Sequence, residues 1–415
     1  MKQQKLFSKD FTLIVIGQII SLFGNAILRF ALPLYLLNKT GSPSLFATVS
    51  ACAFIPMIVL SPIGGIVADR VNKRNVMVIL DFATSLLMLL FTFLFGSVNM
   101  IVLFIVTLML LYGIAGAYQP SVQASIPSLM DDENLISANA IINQINSLSS
   151  LIGPVAGGAL YGFFGLKPIL IISIICFLFS AVMEIFIKIP FEKREDTDGI
   201  FNIVKKDLSE SGGFIKNDKP IIGKVIIIVC AFNLFLSSLI IVGLPVIITQ
   251  ALDFSETVSS QLYGIAQGIT ALGGLAGGIL TATKFKDFEM EKCHVLLSWA
   301  AILLIPIALS MMFGLSDIFI YGVILVSVFL IMTFATIFTI KAMTFLQIVT
   351  PNYLIGKMIS LVMCLSMCSQ PLGQVIYGFL FQNFMSNSYI VIFIGAVMSL
   401  LIGLASKKVF SIINE

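Results

Sequence analysis

The chain has 415 residues, 58% of them hydrophobic and 11% charged, with a formal net charge of +3 and a mean hydropathy of +1.06. A soluble domain carries about 25% charged residues, so this chain lacks the polar surface that water would require. A soluble enzyme, a nucleic-acid binder and a disordered chain are thereby excluded, and a polytopic membrane protein of apolar helices is expected.

A helix needs about 20 apolar residues to cross the hydrocarbon. Twelve segments meet that length: 11–37, 45–68, 76–95, 100–124, 138–164, 168–190, 221–250, 258–282, 293–314, 318–346, 355–382 and 388–410. The basic start (Lys2, Lys5, Lys9) precedes an apolar run, Phe11 to Leu37, too long for a signal-peptide core, so span 1 is expected to stay in the protein.

Span 1 carries Gln18, Ser21, Asn25 and Arg29 at steps of three and four, which places them on one helix face. After span 2, Gly65-Ile-Val-Ala-Asp69-Arg70-Val-Asn72-Lys73-Arg74 reads as a tight, charged turn. Gly65 allows close helix approach, Asp69 can accept from the next helix or from an arginine, and the cations anchor at the interface. Span 3 holds Asp81 about one turn in, the first candidate for a proton-carrying group. Span 4 has Tyr112, Gly116, Gln119 and Gln123 on one face, and Pro120 and Pro127 obscure its end. Span 5 has Asn139, Asn143, Asn146 and Ser150, then Gly153-Pro154-Val-Ala-Gly157-Gly158, where the Gly-Pro pair bends a helix and small residues admit a neighbour.

Glu184 and Lys341 near the ends of spans 6 and 10 read as snorkelling groups, and spans 6, 9 and 12 look nearly bare of polar faces. Residues 191–219 carry the densest charge. Phe201, Val204 and Leu208 at helical spacing predict a short interfacial helix stopped by Gly212 and Gly213, with a flexible charged tether as the alternative. Further polar faces follow: Asn233 and Ser237 on span 7, Tyr263, Gln267 and Thr270 on span 8, Thr333 and Thr336 on span 10, and Ser366, Gln370 and Tyr377 on span 11. His294 at the start of span 9 reads as interfacial.

Polar side chains within a span must face partners or a cavity. Asn25, Arg29, Gln119, Gln123, Asn143, Asn146, Asn233, Gln267 and Gln370 are therefore the candidates for a substrate pathway. Arg29, deep in span 1, suits an anionic group or a carboxylate partner. The six cysteines lie in or at the ends of apolar stretches. Cys364 and Cys368, one turn apart, read as packing residues, so neither a disulfide framework nor a metal site is expected. No phosphate loop appears, which argues against ATP hydrolysis, and the single histidine leaves no nucleophile triad. The expected class is not an enzyme, and no cofactor is implied.

With both termini in the cytoplasm, the inner loops hold Lys2, Lys5, Lys9, Arg70, Lys73, Arg74, then Lys188, Lys193, Arg194, Lys205, Lys206, Lys216, Lys219, Lys224, then Lys284, Lys286, Lys292, Lys357, Lys407 and Lys408. The outer loops hold only Lys39 and Lys167, a strong positive-inside bias. Tyr161-Gly162-Phe163 recurs 216 positions later as Tyr377-Gly378-Phe379, and Gly65 recurs 213 positions later as Gly278. Those marks suggest parallel repeats: a six-span half over 1–190, a cytoplasmic linker over 191–219, and a second half over 220–415.

The turn after span 2 resembles the loop signature of the major facilitator superfamily, Gly-x-x-x-Asp-Arg-x-Gly-Arg-Arg/Lys. Asn72 stands in place of its glycine, a change that asparagine's tolerance of left-handed dihedrals would accommodate. Gly153-Pro154 with Gly157 and Gly158 resembles the superfamily's antiporter motif. The stretch from Gly116 through Pro120, Ile126-Pro127 and Ala138-Asn139 to Gly153-Pro154 looks like the macrolide-efflux branch of drug and siderophore exporters. The resemblance implies twelve helices in two pseudo-symmetric six-helix bundles around a central path lined by spans 1, 4, 7 and 10. It implies a latch at Gly65, Asp69, Arg70, Lys73 and Arg74, and proton antiport by alternating access. The expected cargo is a hydrophobic or amphipathic small molecule, and the chain is expected to work as a monomer in the cell membrane. Span 4 lacks the arginine that many superfamily antiporters carry there. A lipid or siderophore transporter on the same fold, and a non-transporting membrane sensor, are the alternatives.

Overall fold

The computed structural model describes residues 6–190, 210–217, 219–286, 288–351 and 354–411, without the side chains of 62, 65, 66, 68–70, 132, 133 and 136. Its long elements are α1 (Lys9–Thr40), α2 (Pro43–Arg70), α3 (Lys73–Leu94), α4 (Met100–Leu129), α5 (Asp132–Phe164) and α6 (Leu166–Ile185). They continue with α7 (Pro220–Ala251), α8 (Glu256–Thr283), α9 (Met290–Met312), α10 (Asp317–Val349), α11 (Ile355–Asn383) and α12 (Ser388–Phe410). Among the described residues, twelve helices are thus long and apolar enough to cross a membrane, because only a helix satisfies every peptide group in hydrocarbon without help from a neighbour.

Local chemistry sets the boundaries. Asn99 caps α4 by accepting from the Val102 backbone N–H at 3.2 Å, which satisfies one of the donors a helix start leaves open. Gly165, at φ +72°, turns the chain between α5 and α6, in a region that residues with a Cβ avoid. α4 runs through Pro120 and Pro127 to Leu129, so the prolines that blurred its end do not break it. Membrane helices accommodate such interruptions when neighbours take up the freed carbonyls.

Two local expectations are corrected. Asn72 does not adopt a left-handed conformation; its φ is −59°, and its side chain caps α3 by accepting from the Arg74 N–H at 3.0 Å. Asparagine replaces glycine there as a cap rather than as a flexible turn residue. In the linker, Phe201, Val204 and Leu208 lie outside the described residues, but 210–217 is helical and contains Gly212 and Gly213. Tertiary packing outweighs the poor propensity of two glycines: Phe214 and Ile215 pack against Ile222, Ile226, Leu346, Met358 and Val362. Glu210 also pairs with Lys357 at 2.6 Å.

Two compact units are found: Met1–Lys39 with Cys52–Thr197, and Thr40–Ala51 with Asp198–Glu415. Close helix contacts in each rest on glycine. In the first, a Cβ on Gly64 of α2 would lie 2.6 Å from the Ala117 Cα of α4. One on Gly153 of α5 would collide with the Cβ of Ala26, and one on Gly157 would meet the Phe30 ring at 3.1 Å. In the second, Gly277 of α8 stands against the Thr333 backbone of α10, and Gly373 of α11 against the Leu234 carbonyl and Ser238 of α7. Lipid tails are as apolar as leucine, so helices in a bilayer associate by close packing, and small residues permit it.

A substitution pair tests this account. Gly373→Ala must displace backbone and is expected to lower the apparent melting midpoint in detergent by about 3–8 °C, the shift that 1–3 kcal/mol of overpacking produces. Gly278→Ala, where a Cβ meets nothing within 4 Å, is expected to leave the midpoint unchanged or raise it. Equal losses in both would refute the packing role.

Candidate functional site

In the first unit, the guanidinium carbon of Arg29 on α1 lies 4.0 Å from the centroid of the Tyr112 ring on α4. Phe54 of α2 meets the same ring edge-on at 5.3 Å. A cation over an aromatic face gains about 0.5–2 kcal/mol, more as water is removed. That is less than a carboxylate would give, and Arg29 is in no ion pair among the described residues. Its Nε is buried without a hydrogen-bond partner, as is Oδ1 of Asn25 one turn earlier, whose Nδ2 donates to the Ser21 carbonyl at 3.3 Å. A cation and an amide oxygen on adjacent turns are therefore available to a ligand.

The other pathway candidates of this unit are less tightly grouped. Gln119 is half-buried, while Gln123 and Asn143 are exposed on the unit's surface. Asn146 donates to the Ile142 carbonyl of its own helix at 3.1 Å. Gly153, Gly157 and Gly158 are buried on α5, with Pro154 inside the helix, and the first two meet α1 as described above. Gly65, Asp69 and Arg70 fall in the last turns of α2, with side chains outside the described residues. Lys73 and Arg74 open α3, and Arg74 Nε is buried without a hydrogen-bond partner.

In the second unit, α7 is not a uniform α-helix. Asn233–Ser237 and Ile247–Ala251 are π-helical, a wider winding that is rare and frequent at functional sites. Ser238 fastens the first π segment: its hydroxyl donates to the Asn233 carbonyl at 3.0 Å and to the Gln370 carbonyl of α11 at 2.8 Å. Beside it lies a cavity of about 220 Å³ lined by Phe232, Asn233, Ser237, Met332, Thr336 and Thr339, among others. Aromatic and sulfur walls there surround an amide and three hydroxyls, without a charged group. Asn233 and Thr336 thus meet at one cavity, as candidates on separate spans. Gln267 instead donates to the Tyr263 hydroxyl of its own helix at 2.9 Å, and Thr333 to the Gly273 carbonyl at 3.0 Å, bracing α8 to α10.

The membrane-depth charges are partly reassigned. Lys341 reaches the Lys286 carbonyl at 2.7 Å, and the ring Nδ1 of His294 donates to the Glu291 carbonyl at 2.7 Å. Glu184 does not snorkel. It is fully buried and accepts from the Tyr118 hydroxyl at 2.6 Å. Nor is α6 bare: Ser173, Ser180 and Glu184 are all buried on it, at steps of seven and four. That spacing was available as a signal, but two serines and one acid near a span end are too sparse to register as a stripe. Gln18 and Ser21, read as the start of a pathway face, are buried with this group: Gln18 Nε2 donates to Tyr118 Oη at 2.8 Å, and Ser21 donates to Asp81 Oδ1 at 3.1 Å.

Residues 14–374 match the family model of the Major Facilitator Superfamily. Macrolide efflux protein A of Streptococcus pyogenes is 23% identical over 381 residues, covering 91% of this chain and 90% of that protein. Multidrug resistance protein MdtG of Salmonella paratyphi C is 30% identical over 175 residues, 40% of this chain and 42% of that protein. Among solved structures, the nucleoside transporter NupG superposes with a TM-score of 0.73 at 13% identity, covering 97% of this chain and 99% of that one. A bacterial homologue of the lysosomal transporter Spinster gives 0.74 at 12% identity, covering 99% of each. Such low identities show the fold alone, and the fold and the relatives are those of transporters rather than enzymes. With twelve apolar spans and a family match along most of its length, the chain belongs to the major facilitator superfamily and is a multi-pass membrane transporter of small molecules.

Proposed function

We propose that this transporter exports hydrophobic or amphipathic small molecules, of the macrolide type, by proton antiport with alternating access. The observation that carries the reading is the cavity beside the π segment of α7, whose aromatic walls and neutral amide and hydroxyl groups suit a bulky, weakly polar molecule. The full-length likeness to a macrolide efflux protein supports the same direction of transport. Asn25, Arg29, Gln119, Gln123, Asn143, Asn146, Asn233, Gln267 and Gln370 would contact the cargo. The loop with Gly65, Asp69, Arg70, Lys73 and Arg74 would latch one state, and Gly153-Pro154 with Gly157 and Gly158 would let α5 move against α1. Asp81 would carry the proton. The chain would act as a monomer in the cell membrane with both termini in the cytoplasm, where the basic loops belong.

One observation favours a second reading. The Arg29 guanidinium has an aromatic ring beside it and, among the described residues, no carboxylate paired with it, which suits the anionic group of a lipid headgroup or a siderophore on the same fold.

Dye efflux from inverted vesicles under an imposed pH gradient tests the reading. Wild-type vesicles are expected to move ethidium against its gradient. Arg29→Ala and Asp81→Asn are expected to slow that movement about tenfold or more, as loss of a required interaction does. Unaltered rates in both variants would remove those assignments. Lipid flipping without dye movement would favour the headgroup reading, and movement of neither would favour a sensor.

Labelling supplies a separate check on the pathway. In a cysteine-free background, Asn143→Cys is expected to react with a membrane-impermeant maleimide. Phe163→Cys, exposed on an apolar face, is expected to resist it, because thiolate formation needs water. Equal resistance at both positions would mean that Asn143 faces lipid.

A further inference from the structure

Four helices of the first unit meet around two carboxyl groups. Asp81 of α3 is 2% exposed and Glu184 of α6 is 0% exposed. Neither is in an ion pair among the described residues. Ser21 of α1 donates to Asp81 Oδ1, Tyr118 of α4 donates to Glu184 Oε1, and Gln18 of α1 donates to Tyr118. Ser180, one turn before Glu184, donates to the Gly17 carbonyl at 3.3 Å and also stands within hydrogen-bonding reach of Asp81. Three acceptor oxygens remain, Asp81 Oδ2, Glu184 Oε2 and Gln18 Oε1, all buried and all without a donor. The titratable groups facing one another are Asp81 from α3, Tyr118 from α4 and Glu184 from α6. Among the described residues, α1 offers Gly17, Gln18 and Ser21, and α6 adds the Ser180 hydroxyl.

The cluster therefore has more acceptors than donors, and no cation pairs with it among the described residues. Two ionised carboxylates at this depth would cost several kcal/mol, the expense that keeps such residues rare unless they serve a purpose. A proton transferred from hydronium onto either carboxylate oxygen leaves a water molecule behind, removes one charge and creates one O–H donor for a waiting oxygen. Nothing is oxidised and no other bond is broken. The Gln18–Tyr118–Glu184 chain can also reverse. With the proton on Glu184, the Tyr118 oxygen accepts from the acid and its own O–H turns to the Gln18 carbonyl oxygen, once that amide rotates.

We propose that Asp81 and Glu184 form one shared proton-binding site, held by Ser21, Tyr118 and Gln18, and distinct from the side chains that contact cargo. The proposal rests on the antiport reading and extends it, since Asp81 alone would be half of the site. Its occupancy is transmitted along α1 and α4. Ser21 of α1 touches Asp81, its carbonyl holds Asn25, and Arg29 lies two turns further, about 12 Å along the axis. Tyr118 and Tyr112, which touch Glu184 and Arg29 respectively, share α4.

Infrared difference spectra of the purified full-length protein in detergent, recorded across a pH step, read the carboxyl C=O stretch whatever the cargo. The wild type is expected to show a protonated, buried carboxyl at neutral pH. Glu184→Gln and Asp81→Asn are each expected to remove at least about half of that band, and Glu184→Asp to retain it. Tyr118→Phe is expected to shift its frequency, because the acid loses its donor. A missing band in the wild type, or a band unchanged in both carboxamide variants, would overturn the site. So would a band that disappears at fixed pH when sodium replaces choline, which would make the ligand a metal cation. Should the carboxamide variants fail to fold, an unshifted band in Tyr118→Phe would overturn it alone.

Proteoliposomes separate this proposal from the transport reading. Efflux of ethidium driven by a pH gradient is expected to fall about tenfold in Glu184→Gln, while equilibration without a gradient stays within about twofold. Equal losses in both modes would assign Glu184 a structural role and overturn the coupling role. A wild type that moves no dye yet shows the infrared pattern leaves the proton site standing without the exporter. Gradient-driven efflux without the band leaves the exporter standing without the site.

Discussion

Hydrocarbon offers no hydrogen bonds, so each polar group carried into a bilayer must find its partner within the protein. Most side chains here solve that locally. Thr84, Thr92, Thr270, Asn146 and Asn233 each donate to the carbonyl four residues back on their own helix. Such groups cost little and need no neighbour. That local solution makes the exceptions informative. Arg29, Asp81 and Glu184 cannot be satisfied by their own helix turn, and each is held by a side chain from another helix.

The same absence of water removes the usual drive for helices to associate, and backbone proximity takes its place. The glycines that allow it recur with the repeat. Gly373 stands 216 positions after Gly157, and both press against the first long helix of a six-helix set. Gly277 stands 213 positions after Gly64, and both press against the fourth long helix of a six-helix set. The spacings match those of the two sequence echoes. Close backbone contacts of the same kind therefore recur at the spacing of the two halves.

How much of this could be read beforehand depends on the range of the interaction. Span limits depend on runs of apolar residues and were legible within a few positions: 388–410 coincides with α12, and 221–250 with α7. The family was legible because the turn with Asp69 and Arg70 and the Gly153-Pro154 pair are local motifs. What escaped was set by partners distant in sequence. Tyr118 lies 66 residues from Glu184 and Gln18 lies 100 from Tyr118, and no periodicity on one helix reports which faces meet. Gly212 and Gly213 read as a stop because propensity is a local quantity, whereas the linker helix is held by residues as far away as Val362. The π segment of α7 had no signature beyond Asn233 and Ser237 themselves.

The two units differ in what they could contribute to coupling. Leu400 and Phe334 stand 216 positions after Glu184 and Tyr118, so the Tyr118–Glu184 pair has no counterpart at that spacing. The second unit has the neutral cavity beside α7 instead. In an antiporter whose ion and cargo share one set of side chains, competition for those side chains couples them directly. The proposed proton site is composed of Asp81, Glu184, Tyr118, Ser21 and Gln18, none of which lines that cavity, so competition is not available. Coupling would then require proton occupancy to change the energy of one arrangement of α1 and α4 over another, because a ligand shifts a conformational equilibrium only by its differential affinity for the states. The hydrogen-bond chain through Tyr118 would supply that property: protonation of Glu184 would reverse its polarity and alter what Gln18 of α1 can hold, on the helix that also carries Arg29.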